Sequence, residues 1–180
     1  MGREVRRVPP TWEHPKDESG HYIPLTGGSV SKRTAEWDED AAQFDKGLRR
    51  KWTPPGEPVE WVPHGDTECA TYAEYGGERP DPAEYMPDWP DAERTHLQMY
   101  EDCSEGTPIS PVFATAEELA RWLADTGASA FGGMTATYEQ WLATCQQGWA
   151  PSAVFSPQTG LISGVEDSVR RDDPSKAGAK

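Results

Sequence analysis

The chain has 180 residues, with 31 acidic and 17 basic side chains and a formal net charge of −14, a length typical of one ordinary domain. No apolar run reaches the roughly 18 residues that cross a bilayer, so we expect no membrane-spanning helix. The 3 cysteines are too few, and odd in number, for a disulfide-stabilised secreted protein; we expect free thiols in a reducing cytoplasm.

The first half of the chain is predicted to contain one long helix between extended segments. Residues 1–30 are predicted to be an extended arm with a short strand at 4–8, because several prolines interrupt any helix there. An apolar stripe predicts a helix over 31–52, capped by Ser29 or Ser31. Residues 53–90 are rich in proline and glycine and are predicted to form a long acidic loop region with a short strand at 59–62.

Three further helices are predicted in the second half. The first covers residues 90–103, and the other two begin after Thr115 and Thr137, each of which has a capping-box pattern. Residues 107–113 contain two prolines and are predicted to be an edge strand or a docked loop. A β-hairpin is predicted at 152–163, and a disordered tail at 166–180.

These elements predict an α+β fold in which three to four helices pack on a small antiparallel sheet. We expect residues 1–165 to form a single domain. The predicted core is mainly aromatic and aliphatic, and it comprises Trp37, Phe44, Leu48, Met99, Phe113, Leu119, Trp122, Leu123, Trp141, Leu142, Val154, Phe155 and Ile162.

The negative charge is concentrated in residues 61–118, which contain 14 acidic and 2 basic side chains. A field of that sign repels phosphate backbones, so we expect no direct nucleic-acid binding through this region. The region is suited to a partner with a basic surface.

No catalytic motif is present, so the sequence favours a protein that is not an enzyme. The chain lacks nucleophile elbows, phosphate-binding loops and calcium loops. His64, Cys69, His96 and Cys103 do not have the spacing of a zinc site, and whether they come together is not determined by the sequence. We predict no metal, no cofactor and no catalytic residue.

Two stretches resemble a set of short proteins common in phage and prophage genomes. One is Arg-Arg-Val-Pro-Pro-Thr-Trp-Glu-His-Pro at residues 6–15. The other extends from Tyr85 to Ser152 and includes Glu-Gly-Thr-Pro-Ile-Ser-Pro-Val-Phe at 105–113. The resemblance implies a phage accessory protein acting in the cytoplasm of a bacterial host, and it transfers no activity or site residue.

The leading functional hypothesis is a protein that inhibits a host protein, such as a defence or nucleic-acid-binding protein, through an acidic and aromatic surface. Aromatic residues are common binding anchors at protein interfaces. The predicted partner-binding residues are Tyr72, Tyr75, Asp81, Glu84, Tyr85, Asp88, Trp89 and Asp91.

Two alternatives remain open. One is a small-molecule-binding protein or enzyme with a pocket near residues 104–113, where Ser104, Thr107 and Ser110 supply hydroxyl groups. The other is a structural or morphogenetic subunit. The sequence does not determine the oligomeric state.

Overall fold

The computed structural model describes residues 2–65, 67–102 and 106–171, and the predicted α+β class is confirmed. In chain order the elements are β1 (Arg3–Val8), α1 (Val30–Phe44), β2 (Leu48–Arg50), β3 (Trp61–Pro63), α2 (Tyr72–Gly76), a 3₁₀ turn (Pro82–Glu84), β4 (His96–Glu101), β5 (Thr107–Pro108), α3 (Ala116–Asp125), α4 (Tyr138–Gln147), β6 (Trp149–Ala150), β7 (Ala153–Ser156), β8 (Gly160–Ser163) and α5 (Gly164–Arg171).

Contacts divide the chain into two compact units. One comprises Met1–Gly27 and Trp89–Lys180, and the other comprises Gly28–Asp88. The first unit contains a four-stranded antiparallel sheet in the order β5-β4-β1-β6, the β7–β8 hairpin, and helices α3, α4 and α5. The second unit contains α1, α2 and the β2–β3 pair.

The sheet of the first unit has two different faces, because successive side chains of a strand alternate between faces. β1 and β4 are in register with Val5 opposite Met99 and Arg6 opposite Gln98. Val5 and Met99 belong to the apolar core, to which the helices contribute Leu119, Leu123, Trp141 and Val165. Gln98 and Tyr100 are buried as well, but on the opposite face, where segment 12–25 covers them through hydrogen bonds to Tyr100.

In the second unit, aromatic side chains pack around Phe44 at the end of α1. The Phe44 ring is stacked on His64 at 4.6 Å between centroids, and it contacts Tyr75 at 5.1 Å and Tyr72 at 5.9 Å. The rings of α2 and the histidine that follows β3 thus pack around the buried Phe44 at the end of α1.

The predicted helix starts at Ser29, Thr115 and Thr137 are confirmed. The hydroxyl oxygens of these residues accept hydrogen bonds from the backbone N–H of Lys32, Glu118 and Gln140, respectively. Each bond satisfies an amide that the first turn of a helix leaves without a partner.

Two helix predictions are wrong in extent or type. The predicted helix 31–52 ends at Phe44, because Gly47 adopts a φ of +79° and turns the chain into β2. The predicted helix 90–103 is replaced by strand β4, whose pairing with β1 buries side chains on both faces. Cys103, at the end of that prediction, lies outside the described residues.

The predicted strands coincide or overlap with strands of the structure. The sequence predicts strands at 4–8, at 59–62 and in the 152–163 hairpin, and β1, β3 and the β7–β8 pair lie there. In segment 107–113, β5 is followed by a bridge between Leu97 and Phe113.

The predicted tail and one predicted core residue require correction. Helix α5 continues to Arg171, so the prediction of disorder is wrong for residues 166–171. Residues 172–180 lie outside the described residues. Phe155 is predicted in the core but is 73% exposed, because β7 and β8 form a separate two-stranded sheet on which an outward face has no covering layer. The other predicted core residues are buried or half-buried.

Candidate ligand-binding site

A cavity of about 870 Å³ lies in the first unit, which is within the usual size range of small-molecule sites. Its lining comes from residues 12–16, Tyr22, Gln98, residues 108–112 and Trp122. Residues 12–15 end the stretch at residues 6–15, and residues 108–112 lie within the stretch from Tyr85 to Ser152. Stretches separated by about 90 positions in the chain therefore border one cavity.

Beneath the cavity, the hydroxyl group of Tyr100 is the hub of a buried hydrogen-bond network. It accepts a hydrogen bond from Trp12 Nε1 (3.1 Å) and donates one to Gln98 Oε1 (2.8 Å), and it lies 3.1 Å from His14 Nδ1. Burial raises the pKa of Tyr100 to about 12, so the phenol keeps its proton. The Arg6 guanidinium lies 4.3 Å from the centre of the Tyr100 ring and forms an ion pair with Glu4.

His14 ties segment 12–25 to this network through both ring nitrogens. Its Nε2 lies 2.6 Å from the Ile23 carbonyl oxygen and must donate there, since a carbonyl only accepts. In the neutral ring, Nδ1 is then an acceptor facing the Tyr100 hydroxyl, so Nδ1 and Gln98 Oε1 are two acceptors for one hydroxyl proton, which is donated to one of them at a time. Burial lowers the pKa of His14 and favours this neutral form.

Folding stability is therefore expected to fall as the pH drops below about 6.5, the usual histidine pKa. Because the pKa of His14 is lowered in the folded state, the unfolded chain binds the proton more readily, and acid favours unfolding. Urea unfolding between about pH 7.5 and pH 5 checks this. The free energy of unfolding is expected to change less steeply with pH in His14→Gln than in the wild type. His21, whose side chain is 82% exposed, supplies the control His21→Gln. Equal pH slopes for the wild type and His14→Gln would contradict the assignment.

Ser110 is the one residue of the predicted hydroxyl set found in the cavity lining. Its Oγ accepts a hydrogen bond from Met99 N–H (3.0 Å) and donates to the Pro111 carbonyl oxygen (2.8 Å), while its own carbonyl accepts from Gln98 Nε2 (2.8 Å). Thr107 lies in β5 and does not line the cavity. Ser104 lies outside the described residues.

The aromatic residues predicted to bind a partner make contacts within the chain. Tyr72 donates a hydrogen bond to Asp40 (3.0 Å), and burial raises its pKa to about 12. The Tyr85 ring faces the Arg33 guanidinium at 5.7 Å, and Trp89 packs edge-on against Trp12 at 4.7 Å. Tyr75 packs on Phe44 and is the most exposed of the four, at 43%.

The predicted acidic residues are exposed, but most have local structural roles. Asp81 accepts from Ala83 N–H at the 3₁₀ turn, and Asp88 accepts from Ser29 Oγ and Ser31 N–H at the start of α1. Asp91 forms an ion pair with Arg94. Glu84 has no cationic group within 4.0 Å among the described residues.

The histidines and cysteines considered for a metal occupy unrelated environments. His64 is stacked on Phe44, Cys69 is half-buried in the same unit, and His96 Nδ1 lies 2.9 Å from Thr95 Oγ1. Within the described part of the chain, no three His, Cys, Asp or Glu side chains are grouped so as to hold a metal ion.

Sequence reasoning did not select Trp12, His14, Gln98 or Tyr100 as site residues. The available signals were Trp12 and His14, two residues of the same stretch, and the alternation of polar and apolar residues from His96 to Met99, which is typical of a strand. The helix predicted for residues 90–103 concealed the second signal.

In the described ranges, no helix is both long and apolar enough to cross a bilayer. No protein-family model matches the chain, and no curated protein or solved structure matches it.

Proposed function

We propose that this chain is a binding protein for a small organic ligand, which it holds in the cavity between segment 12–16 and residues 108–112. The supporting observation is the combination of an 870 Å³ space with side chains that are already fixed around it. Trp12 is held by its hydrogen bond to Tyr100, and His14 is held by its hydrogen bond to the Ile23 carbonyl oxygen. A site that is ordered before binding loses little conformational entropy when the ligand enters.

The lining has the mixed character typical of ligand sites. Aromatic and aliphatic side chains supply apolar contact area, and a few buried polar groups, Gln98 and Ser110 among them, fix the orientation of a ligand. The prolines at 15, 108 and 111 restrict the backbone around the opening.

Filling the cavity is expected to abolish ligand-dependent thermal stabilisation. A library of small metabolites is screened for compounds that raise the unfolding temperature. A ligand at a free concentration of 100 times its Kd raises the free energy of unfolding by about 2.7 kcal/mol. Val112→Trp places an indole in the cavity lining and should remove the shift. Val59→Trp makes the same change at an exposed position in the other unit and should retain it. A shift that persists in Val112→Trp would place the ligand elsewhere.

A second candidate function is inhibition of a basic host protein by the acidic surface of the second unit. The observation that favours it is that Glu78 and Glu84 are exposed and have no cation within 4.0 Å among the described residues, and that Tyr75 is exposed in the same unit. Carboxylates without nearby cations produce the field that steers a basic partner. The resemblance to phage proteins suggests a partner from a bacterial host.

Neutralising these carboxylates is expected to weaken capture of a host protein while leaving the fold intact. The double variant Glu78→Gln/Glu84→Gln avoids the capping residues Asp81 and Asp88. It is compared with wild type in affinity capture from nuclease-treated bacterial lysate at low and high salt. Glu18→Gln/Glu93→Gln removes the same charge from exposed sites of the first unit. The hypothesis fails if both double variants retain the same partner equally well.

A further inference from the structure

We infer that the cavity ligand is an uncharged nucleobase-type ring, stacked on the indoles of Trp12 and Trp122, whose edge is bound by the amide of Gln98. This inference rests on the proposed ligand-binding function. Three features of the cavity lining indicate this class of ligand: the fixed aromatic rings, the buried amide of Gln98 and the distribution of charge.

Aromatic rings that are already in place favour a planar ligand. The Trp12 indole is fixed by its hydrogen bond to Tyr100 and by its edge contact with Trp89 at 4.7 Å. The Trp122 indole packs against Phe113, with 6.0 Å between ring centroids. Both indoles line the cavity, and indole faces bind heteroaromatic rings by stacking.

The amide of Gln98 supplies a paired donor and acceptor. A glutamine amide has two N–H groups and an oxygen with two lone pairs. In Gln98, one N–H donates to the Ser110 carbonyl oxygen and one lone pair accepts from Tyr100. One N–H and one lone pair remain, and the side chain lines the cavity with only 5% exposure. A nucleobase edge with a donor beside an acceptor is complementary to that pair, as in glutamine contacts to adenine.

The charge distribution selects against an anionic ligand. The buried polar side chains of the lining, Gln98, Ser110 and His14, are neutral. Burial lowers the pKa of His14, which favours its neutral form. The charged residues of the lining are Glu13 and Lys16, both exposed and opposite in sign. The Lys16 ammonium lies 4.7 Å from the centre of the Tyr22 ring. With a net charge of −14 on the chain, a phosphate gains little here, so a nucleoside should bind at least as tightly as its monophosphate.

The experiment titrates the full chain with adenosine, guanosine, cytidine and uridine and follows tryptophan fluorescence and calorimetric heat. At least one nucleoside is expected to bind. Its methylated analogue, in which the donor nitrogen of the base edge keeps no N–H (dimethylated where it is an exocyclic amine, N-methylated where it is a ring N–H), is expected to bind about tenfold or more weakly, because one of the two hydrogen bonds is lost. Its 5′-monophosphate is expected to bind no more tightly.

The protein-side variant is Gln98→Met, which keeps the length of the side chain and removes the amide, with Gln158→Met on the exposed hairpin turn as the control. Gln98→Met is expected to lose about tenfold in affinity for the nucleoside and to bind it and the methylated analogue equally. Should Gln98→Met fail to fold, the comparison of the two ligands on the wild-type chain decides the same point.

Three outcomes would overturn the inference, and they separate it from the proposed function. If no nucleoside binds but other library compounds give shifts that Val112→Trp abolishes, the ligand class is wrong and the binding function stands. If the monophosphate binds more than about tenfold tighter than the nucleoside, the ligand is anionic. If neither nucleosides nor library compounds bind, the inference and the proposed function both fail.

Discussion

Replacing Gly106 with alanine is expected to destabilise the first unit by about 3 kcal/mol. This is the sum of the strain of a left-handed alanine, the steric clash of its Cβ and the loss of one hydrogen bond. Gly106 has a φ of +56°, a conformation that alanine adopts only with strain. A Cβ at this position would lie 2.9 Å from the carbonyl carbon of Leu25 and closer still to its oxygen. The chain at Leu25 would have to move away, although its N–H donates to the Gly106 carbonyl (3.2 Å) and its own carbonyl accepts from Arg6 Nη1 (2.8 Å).

Hydrogen exchange at the Leu25 and Leu97 amides, together with urea unfolding, measures this effect. Gly20→Ala is the matched control, since Gly20 has a φ of +82° but no atom within 4 Å of the place that an added Cβ would take. It should cost only the backbone strain, about 1–2 kcal/mol, and leave the Leu25 amide protected. Equal losses in the two variants would show that the close approach of Leu25 to Gly106 contributes nothing.

Local signals in the sequence were sufficient to locate α3 and α4. Thr115 and Thr137 provide side-chain acceptors for the first turn, and Gly148 ends α4 in a left-handed conformation, with a φ of +84°. Between these ends lie the buried residues Leu119, Leu123 and Trp141. Caps and apolar spacing act within one or two helical turns, so they can be recognised without the rest of the fold.

The error over residues 90–103 has a different origin. His96 and Met99 have helical spacing, yet they lie on opposite faces of β4 when the chain is extended. β4 buries both faces, since Met99 packs in the apolar core and Gln98 and Tyr100 lie under segment 12–25. The alternation from His96 to Met99 is short, and Tyr100 after it is buried as well, so the local pattern did not separate strand from helix and tertiary contacts decide the structure.

The candidate site could not be assembled from the sequence for the same reason. Ser110 is conspicuous in the sequence because its hydroxyl lies in a proline-rich segment, but its role depends on Gln98, which is 12 positions earlier. The contact between His14 and Tyr100 joins positions 86 apart and depends on the β1–β4 register. The tyrosines of segment 53–90 are conspicuous because they lie among carboxylates, and three-dimensional packing gives Tyr72 an internal partner instead.

Replacing Tyr100 with phenylalanine is expected to destabilise the first unit by roughly 2–3 kcal/mol, because several buried polar groups lose a partner at once. Only the oxygen atom is removed, and the ring beneath the Arg6 guanidinium is retained. Trp12 Nε1 loses its acceptor, and the two acceptors His14 Nδ1 and Gln98 Oε1 lose the one donor that they share. Since Trp12 and His14 border the cavity, the same substitution should loosen segment 12–16 and weaken ligand binding.

Tyr138→Phe is a closely matched control for this experiment. The Tyr138 ring also lies under an arginine, with Arg121 at 3.8 Å from its centre. Its hydroxyl group has no hydrogen-bond partner among the described residues, so the substitution should change stability by less than about 0.5 kcal/mol. Urea unfolding gives the stabilities, and hydrogen exchange at the Ile23 amide, which donates to the Pro15 carbonyl (3.0 Å), reports on the segment itself. If Tyr100→Phe matched Tyr138→Phe in stability and in Ile23 protection, the Tyr100 hydroxyl would not be what holds Trp12 and His14 at the cavity.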